Sequence, residues 1–77
     1  MKNDVLAILQ SIRPEADFSA SQDFLADGLL DSFDLMVLVS ELDQRYDISI
    51  AGADIVPEHF ANLDTIIALL KKNGVDA

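Results

Sequence analysis

Apolar residues in this chain recur at helical spacing, and nowhere do they show the strict alternation of a half-buried strand. That pattern limits the chain to helices packed on helices. The first helix is expected to follow Asn3 as its cap, with Asp4 in its first turn. Val5, Leu6, Ile8, Leu9 and Ile12 form its apolar stripe, and Pro14 stops it near Arg13. A second helix is expected from Ser32 to Tyr46, roughly 22 Å long at the usual rise per residue. The last follows Asn62, with Leu63, Ile66, Ile67, Leu69 and Leu70 apolar. Lys71 and Lys72 there complement the C-terminal dipole, and Gly74 closes the helix.

The connections carry apolar residues of their own. Between Pro14 and Asp31, the residues Phe18, Phe24, Leu25, Leu29 and Leu30 tack a long loop onto the core, with a short helical turn expected at Ser21 to Leu25. After Asp47, Ile48 and Ile50 point inward. Pro57 suits the first turn of a short helix ending at Phe60. The expected fold is all-α: a small four-helix bundle of three main helices and one short one, in a single domain over residues 1–77.

A chain of 77 residues buries a modest fraction of its surface, so its core must be compact and its stability marginal. It has no cysteine to staple it, but 51% apolar residues argue for a folded core. No apolar run approaches a membrane span, and the N-terminus lacks the apolar stretch of a signal peptide. A soluble, cytoplasmic monomer is expected.

Fourteen acidic residues against five basic ones give a formal charge of −9. From Glu15 to Asp64 there are twelve acids and one base, Arg45. Such a field repels nucleic acid and draws partners with basic patches. It also keeps a small protein in solution, which by itself explains the composition.

On the second helix, at 100° per residue from Ser32, Leu35, Leu38, Val39, Leu42 and Tyr46 fall within about 240° to 340° and form the core face. Phe33, Val37, Ser40 and Gln44 fall on the far side, between about 80° and 140°. Asp34 and Glu41 flank that strip on one edge, Asp43 and Asp47 on the other, and Met36 sits between the two apolar zones. Apolar residues between acidic rails suit a docking surface, with contact at the centre and steering charge at the rim. Equally, Phe33 and Val37 can tuck under the long loop.

Asp31-Ser32 stands where the loop becomes the second helix. Capping alone accounts for both residues. Nucleophilic catalysis needs a base beside the hydroxyl, and the sole histidine, His59, lies on another segment. A phosphodiester on Ser32 would sit at a helix N-terminus, where free N–H groups favour negative charge. Such a modification needs no internal base, because a separate transferase supplies the chemistry.

The stretch Asp27-Gly28-Leu29-Leu30-Asp31-Ser32-Phe33-Asp34 resembles the phosphopantetheine attachment motif of the acyl carrier protein family, in which an Asp-Ser-Leu or similar triplet opens the second helix. The likeness extends to length, acidity, helix order, the long first loop and the acidic close Glu41-Leu42-Asp43-Gln44-Arg45-Tyr46-Asp47. It implies that Ser32 carries 4′-phosphopantetheine from coenzyme A, whose thiol holds an acyl or aminoacyl group as a thioester. Asp31 matches the acid before the modified serine, and Phe33 completes the motif. Asp34, Glu41 and Asp47 match acids that partner enzymes contact through basic residues; Val37 and Asp43 border the same surface. The implied partners are a phosphopantetheinyl transferase, a loading ligase, and acyltransferases or synthases with basic docking patches. The carrier itself is not an enzyme.

Two departures narrow the subtype. Val37 stands where carriers of fatty acid synthesis are usually acidic, and Phe33 replaces the common leucine. The segment from Gly28 to Ser32 is also similar to D-alanine carriers and to peptidyl carriers of nonribosomal synthesis. A specialised free-standing carrier in a lipid or secondary-metabolite pathway is implied. Met36, Val56 and Phe60 are candidate lining for an acyl chain between the second and third helices. Two rivals use the same acids: a partial EF-hand loop counted from Asp23 to Asp34, and an acidic module that binds a basic protein. The loop has Leu25 at its third position and Asp where the bidentate Glu belongs.

Overall fold

The computed structural model describes residues 2–75, the Ala20 side chain excepted. Three α-helices carry the fold: α1 (Lys2–Ile12), α2 (Ser32–Tyr46) and α3 (Leu63–Lys72). Short 3-10 turns at Phe18–Ala20, Gly52–Asp54 and Pro57–Phe60 punctuate the connections, and the described residues contain no strand. This is the all-helical bundle the periodicity predicts, with the bounds of α2 and of the Pro57–Phe60 turn as expected.

Two local expectations fail. The first helix begins at Lys2, so Asn3 lies inside its first turn instead of capping it. The turn expected at Ser21 to Leu25 lies earlier, at Phe18–Ala20. There the Asp17 carboxylate accepts from the Ser19 N–H at 3.2 Å and the Ser19 hydroxyl at 2.6 Å, a side chain bonding the backbone two residues on as turn formers do. Ser21 Oγ accepts from the Asp23 N–H at 3.2 Å in the same way, but the chain there continues into a hydrogen-bonded turn over 24–28 instead of a helix.

The helices form one core. α1 contributes Val5 and Leu9; α2 contributes Leu35, Leu38, Val39 and Leu42; α3 contributes Ile66, Leu69 and Leu70. The loops supply Phe18, Phe24, Leu30, Ile50 and Phe60. Phe18 and Phe24 meet edge to face, ring centroids 5.0 Å apart, a favoured aromatic geometry. Fully burying a phenylalanine or leucine stabilises by roughly 1.5–3 kcal/mol, so the loop residues matter to the core as much as the helical ones. α1 packs against both α2 and α3, and α3 against the Pro57–Phe60 turn.

Helix ends are satisfied locally. Asn62 caps α3: its side chain accepts from the Thr65 N–H at 3.0 Å while Thr65 Oγ1 accepts from the Asn62 N–H at 3.1 Å. The Asn62 amide also donates to the Gln22 carbonyl at 3.1 Å, fastening the first loop to the start of α3. α2 ends at Asp47, whose φ of 53° is left-handed and whose N–H returns to the Asp43 carbonyl.

Candidate functional site

The site is built from the turn that precedes α2. Asp23 Oδ1 accepts from the Ala26 N–H, and the Asp27 N–H donates back to the Asp23 carbonyl at 2.9 Å. The Leu29 and Leu30 N–H groups both reach the Phe24 carbonyl, and Ser21 Oγ donates to Asp27 Oδ2 at 2.6 Å. Gly28 takes a φ of +76°, which glycine adopts without the Cβ clash of other residues. The Phe24 N–H in turn donates to the Ala61 carbonyl at 2.6 Å, so the turn is anchored to the segment before α3. The acids that a calcium-loop spacing would group are thereby engaged in turn and cap bonds. Among the described residues no three histidine, cysteine or carboxylate side chains converge as a metal ion would need.

Asp31 caps α2, and Ser32 is the first helical residue. Asp31 Oδ1 accepts from the Asp34 N–H at 2.9 Å, and Asp34 Oδ2 accepts from the Asp31 N–H at 3.2 Å. This reciprocal box holds the first turn without any contribution from the serine. Ser32 is exposed, and its hydroxyl has no hydrogen-bond partner among the described residues. By contrast Ser11, Ser19 and Ser21 all donate to neighbouring oxygens. His59 is half-buried on the far side of the sequence, with Nδ1 donating to the Asp54 carbonyl at 2.7 Å.

Asp34 departs most from expectation. It is 7% exposed and points inward. Arg13, just beyond α1, grips it through Nε at 2.7 Å and Nη2 at 2.6 Å, and Nη2 also reaches Asp31 Oδ2 at 3.2 Å. Burial by itself would raise the Asp34 carboxyl. The Arg13 hydrogen bond, the Asp31 N–H and the guanidinium charge outweigh it, holding the carboxyl below its ordinary value. The bond to Asp34, reinforced by its charge, raises Arg13 in turn. Asp34 is therefore part of the frame under Ser32 rather than a free docking acid. Sequence reading missed Arg13, because two residues 21 positions apart carry no local spacing signal.

The outer surface of α2 is divided. Phe33 is 76% exposed and Met36 60% exposed, the two exposed large hydrophobics of the described chain, while Val37 is half-buried. Glu41 and Asp47 face solvent. Asp43 is half-buried and accepts from the Ile50 N–H at 3.0 Å, so it fastens the second loop rather than standing as a rim charge. Phe33 stands clear of the loop that alternatively would have covered it.

Met36, Val56 and Phe60 differ in exposure. Phe60 is fully buried in the core, Val56 is half-buried and Met36 stands in solvent. The nearest surface groove in sequence is lined by Glu58, His59, Thr65, Ala68, Leu69 and Lys72, and none of the three lines it.

The head of α2 thus offers an exposed, unbonded hydroxyl on a capped helix N-terminus, the environment a phosphodiester needs. A family model described as the phosphopantetheine attachment site matches residues 3–70. The chain belongs to that family. It is a phosphopantetheine-bearing carrier protein, with 4′-phosphopantetheine as its covalent prosthetic group. No curated protein and no solved structure shows a significant match to it. Ser32 offers a hydroxyl free of internal bonds beside backbone N–H groups of a first turn, chemistry that fits such a prosthetic group. Among the described residues no helix is long and apolar enough to cross a membrane.

Proposed function

We propose that Ser32 is the attachment residue and that the carrier is non-catalytic, holding acyl or aminoacyl groups for other enzymes. The observation that carries this reading is the Ser32 hydroxyl: exposed, without a hydrogen bond, and opening a helix whose cap is made by Asp31 and Asp34 alone. Ser49 is likewise exposed without a bonded hydroxyl, but it lies in a loop, away from any helix N-terminus. The prosthetic arm supplies a thiol that holds cargo as a thioester. The chain's own part is to hold the arm's root on a rigid turn and to present the surface around it.

That surface is Phe33, Met36 and Val37 on α2, with Glu41 and Asp47 as rim charges. It suits partners carrying an apolar contact ringed by basic residues. Val37 and Phe33 make the strip more apolar than in the carriers of fatty acid synthesis, which supports specialised partners, in lipid or secondary-metabolite assembly. The transferase, a loading ligase and a downstream acyltransferase or synthase are the enzymes implied.

Incubation with coenzyme A, magnesium and a broad-specificity phosphopantetheinyl transferase is expected to add one phosphopantetheinyl mass to the intact protein. Ser32→Ala is expected to abolish the addition, and Ser49→Ala to leave it unchanged. A wild-type chain that stays unmodified with several transferases, or addition that survives Ser32→Ala, would overturn the reading.

A further inference from the structure

We infer that Arg13 is a positioning residue for the group transfer to Ser32. The inference rests on the assignment of Ser32 as attachment site. Arg13 closes a ring around the peptide that bears this serine. Its guanidinium binds Asp34 Oδ2 through Nε and Nη2 and Asp31 Oδ2 through Nη2, while Asp31 and Asp34 bind each other's backbone N–H. Ser32 lies between the two acids in sequence, and its own hydroxyl takes no part.

The ring does two things that a capping box alone cannot. The first turn of a helix frays because its N–H groups lack partners within the helix. Here the turn is tied to Arg13, whose backbone N–H still bonds the Leu9 carbonyl of α1 at 3.0 Å. The extended conformation of Asp31, φ −118° and ψ −175°, is thereby held from two sides, and it determines where the next residue's Oγ points. The ring also places one cation beside two carboxylates that flank an incoming phosphate. Without it, Asp34 and Asp31 would present unbalanced negative charge to the anionic donor.

In the transfer itself, Ser32 Oγ forms a bond to the phosphorus next to pantetheine in coenzyme A. The pyrophosphate bridge breaks, adenosine 3′,5′-bisphosphate leaves, and the hydroxyl proton passes to a base of the transferase. Arg13 touches none of the reacting atoms. It acts through the direction and steadiness of Oγ, and misplacement of a nucleophile by about 1 Å can cost on the order of a hundredfold in rate.

The test is transferase kinetics on the whole chain, with mass spectrometry as readout. Arg13→Met is expected to lower kcat of transfer about tenfold with little change in KM, and Arg13→Lys to recover part of it. If Arg13 acted only through charge, its removal would change KM, with kcat unchanged. Arg13→Met leaves Asp34 buried without its cation, so Arg13→Met combined with Asp34→Asn carries the test should the single variant unfold. The double variant is expected to show the same loss of kcat, and faster hydrogen exchange at the amides of the first turn of α2. A folded variant with wild-type kcat and wild-type exchange overturns the inference. A wild-type chain that accepts no phosphopantetheine overturns the carrier reading and this inference together; normal transfer to both wild type and variant overturns this inference alone.

Discussion

At Asp34 a charge is tolerated at 7% exposure because donors reach one oxygen from two directions, Arg13 from the end of α1 and the Asp31 N–H from the cap. The carboxyl is held below its ordinary value, so its ionised form favours the fold. A group depressed in this way contributes stability above its unfolded value, about 4 for aspartate, and loses it as pH falls through the lower folded value. Asp34→Asn is expected to cost about 1.5–3 kcal/mol at neutral pH, the worth of a hydrogen bond to a charged group. The gap between variant and wild type should narrow in acid. Urea titrations at neutral and acid pH measure both, and a gap that is constant with pH would show that the Asp34 charge does not support the fold. The residue also shows a limit of the helical wheel. At 100° per residue Asp34 was placed at the rim of an outward strip, yet Arg13 reaches over the helix end and covers it.

The same device starts two helices. Asp31 with Asp34 and Asn62 with Thr65 each exchange a side-chain oxygen for the other's backbone N–H. The cap residues Asp31 and Asn62 were legible from residue type, since Asp and Asn are strong N-caps, whereas their reciprocal partners Asp34 and Thr65 are shown by the structure. The start of α1 was misread because Asn3 has the right chemistry but the helix begins before it. At α3 the cap does more than start a helix, since the Asn62 amide also holds the Gln22 carbonyl. Asn62→Ala is expected to cost about 1 kcal/mol, which lowers the thermal midpoint of a domain this size by roughly 4–8 °C. An unchanged midpoint in a calorimetric scan would show that neither bond contributes.

For the molecule as a whole, a charge of −9 acts on partners before contact. Rim charges change association rates more than the final complex, and salt screens them over about 10 Å at 0.1 M. With Asp34 and Asp43 bound internally, Glu41 and Asp47 are the α2 acids free to steer. Glu41→Lys combined with Asp47→Lys is expected to slow association with the transferase about tenfold at low salt and to flatten its salt dependence. Surface plasmon resonance over a salt series reads both, and an unchanged salt slope would remove these two acids from the docking surface. The three helices, most of the core and the place of Ser32 at the head of α2 followed from the sequence alone, because periodicity, caps and proline act within a few residues. The tertiary structure alone decided that Arg13 meets Asp34, that Asp43 is tied to Ile50, and that Phe60 is sealed in the core while Met36 stays in solvent. Those outcomes depend on which distant segments fold against each other, and a wheel or a motif records direction along one element, not what arrives to cover it.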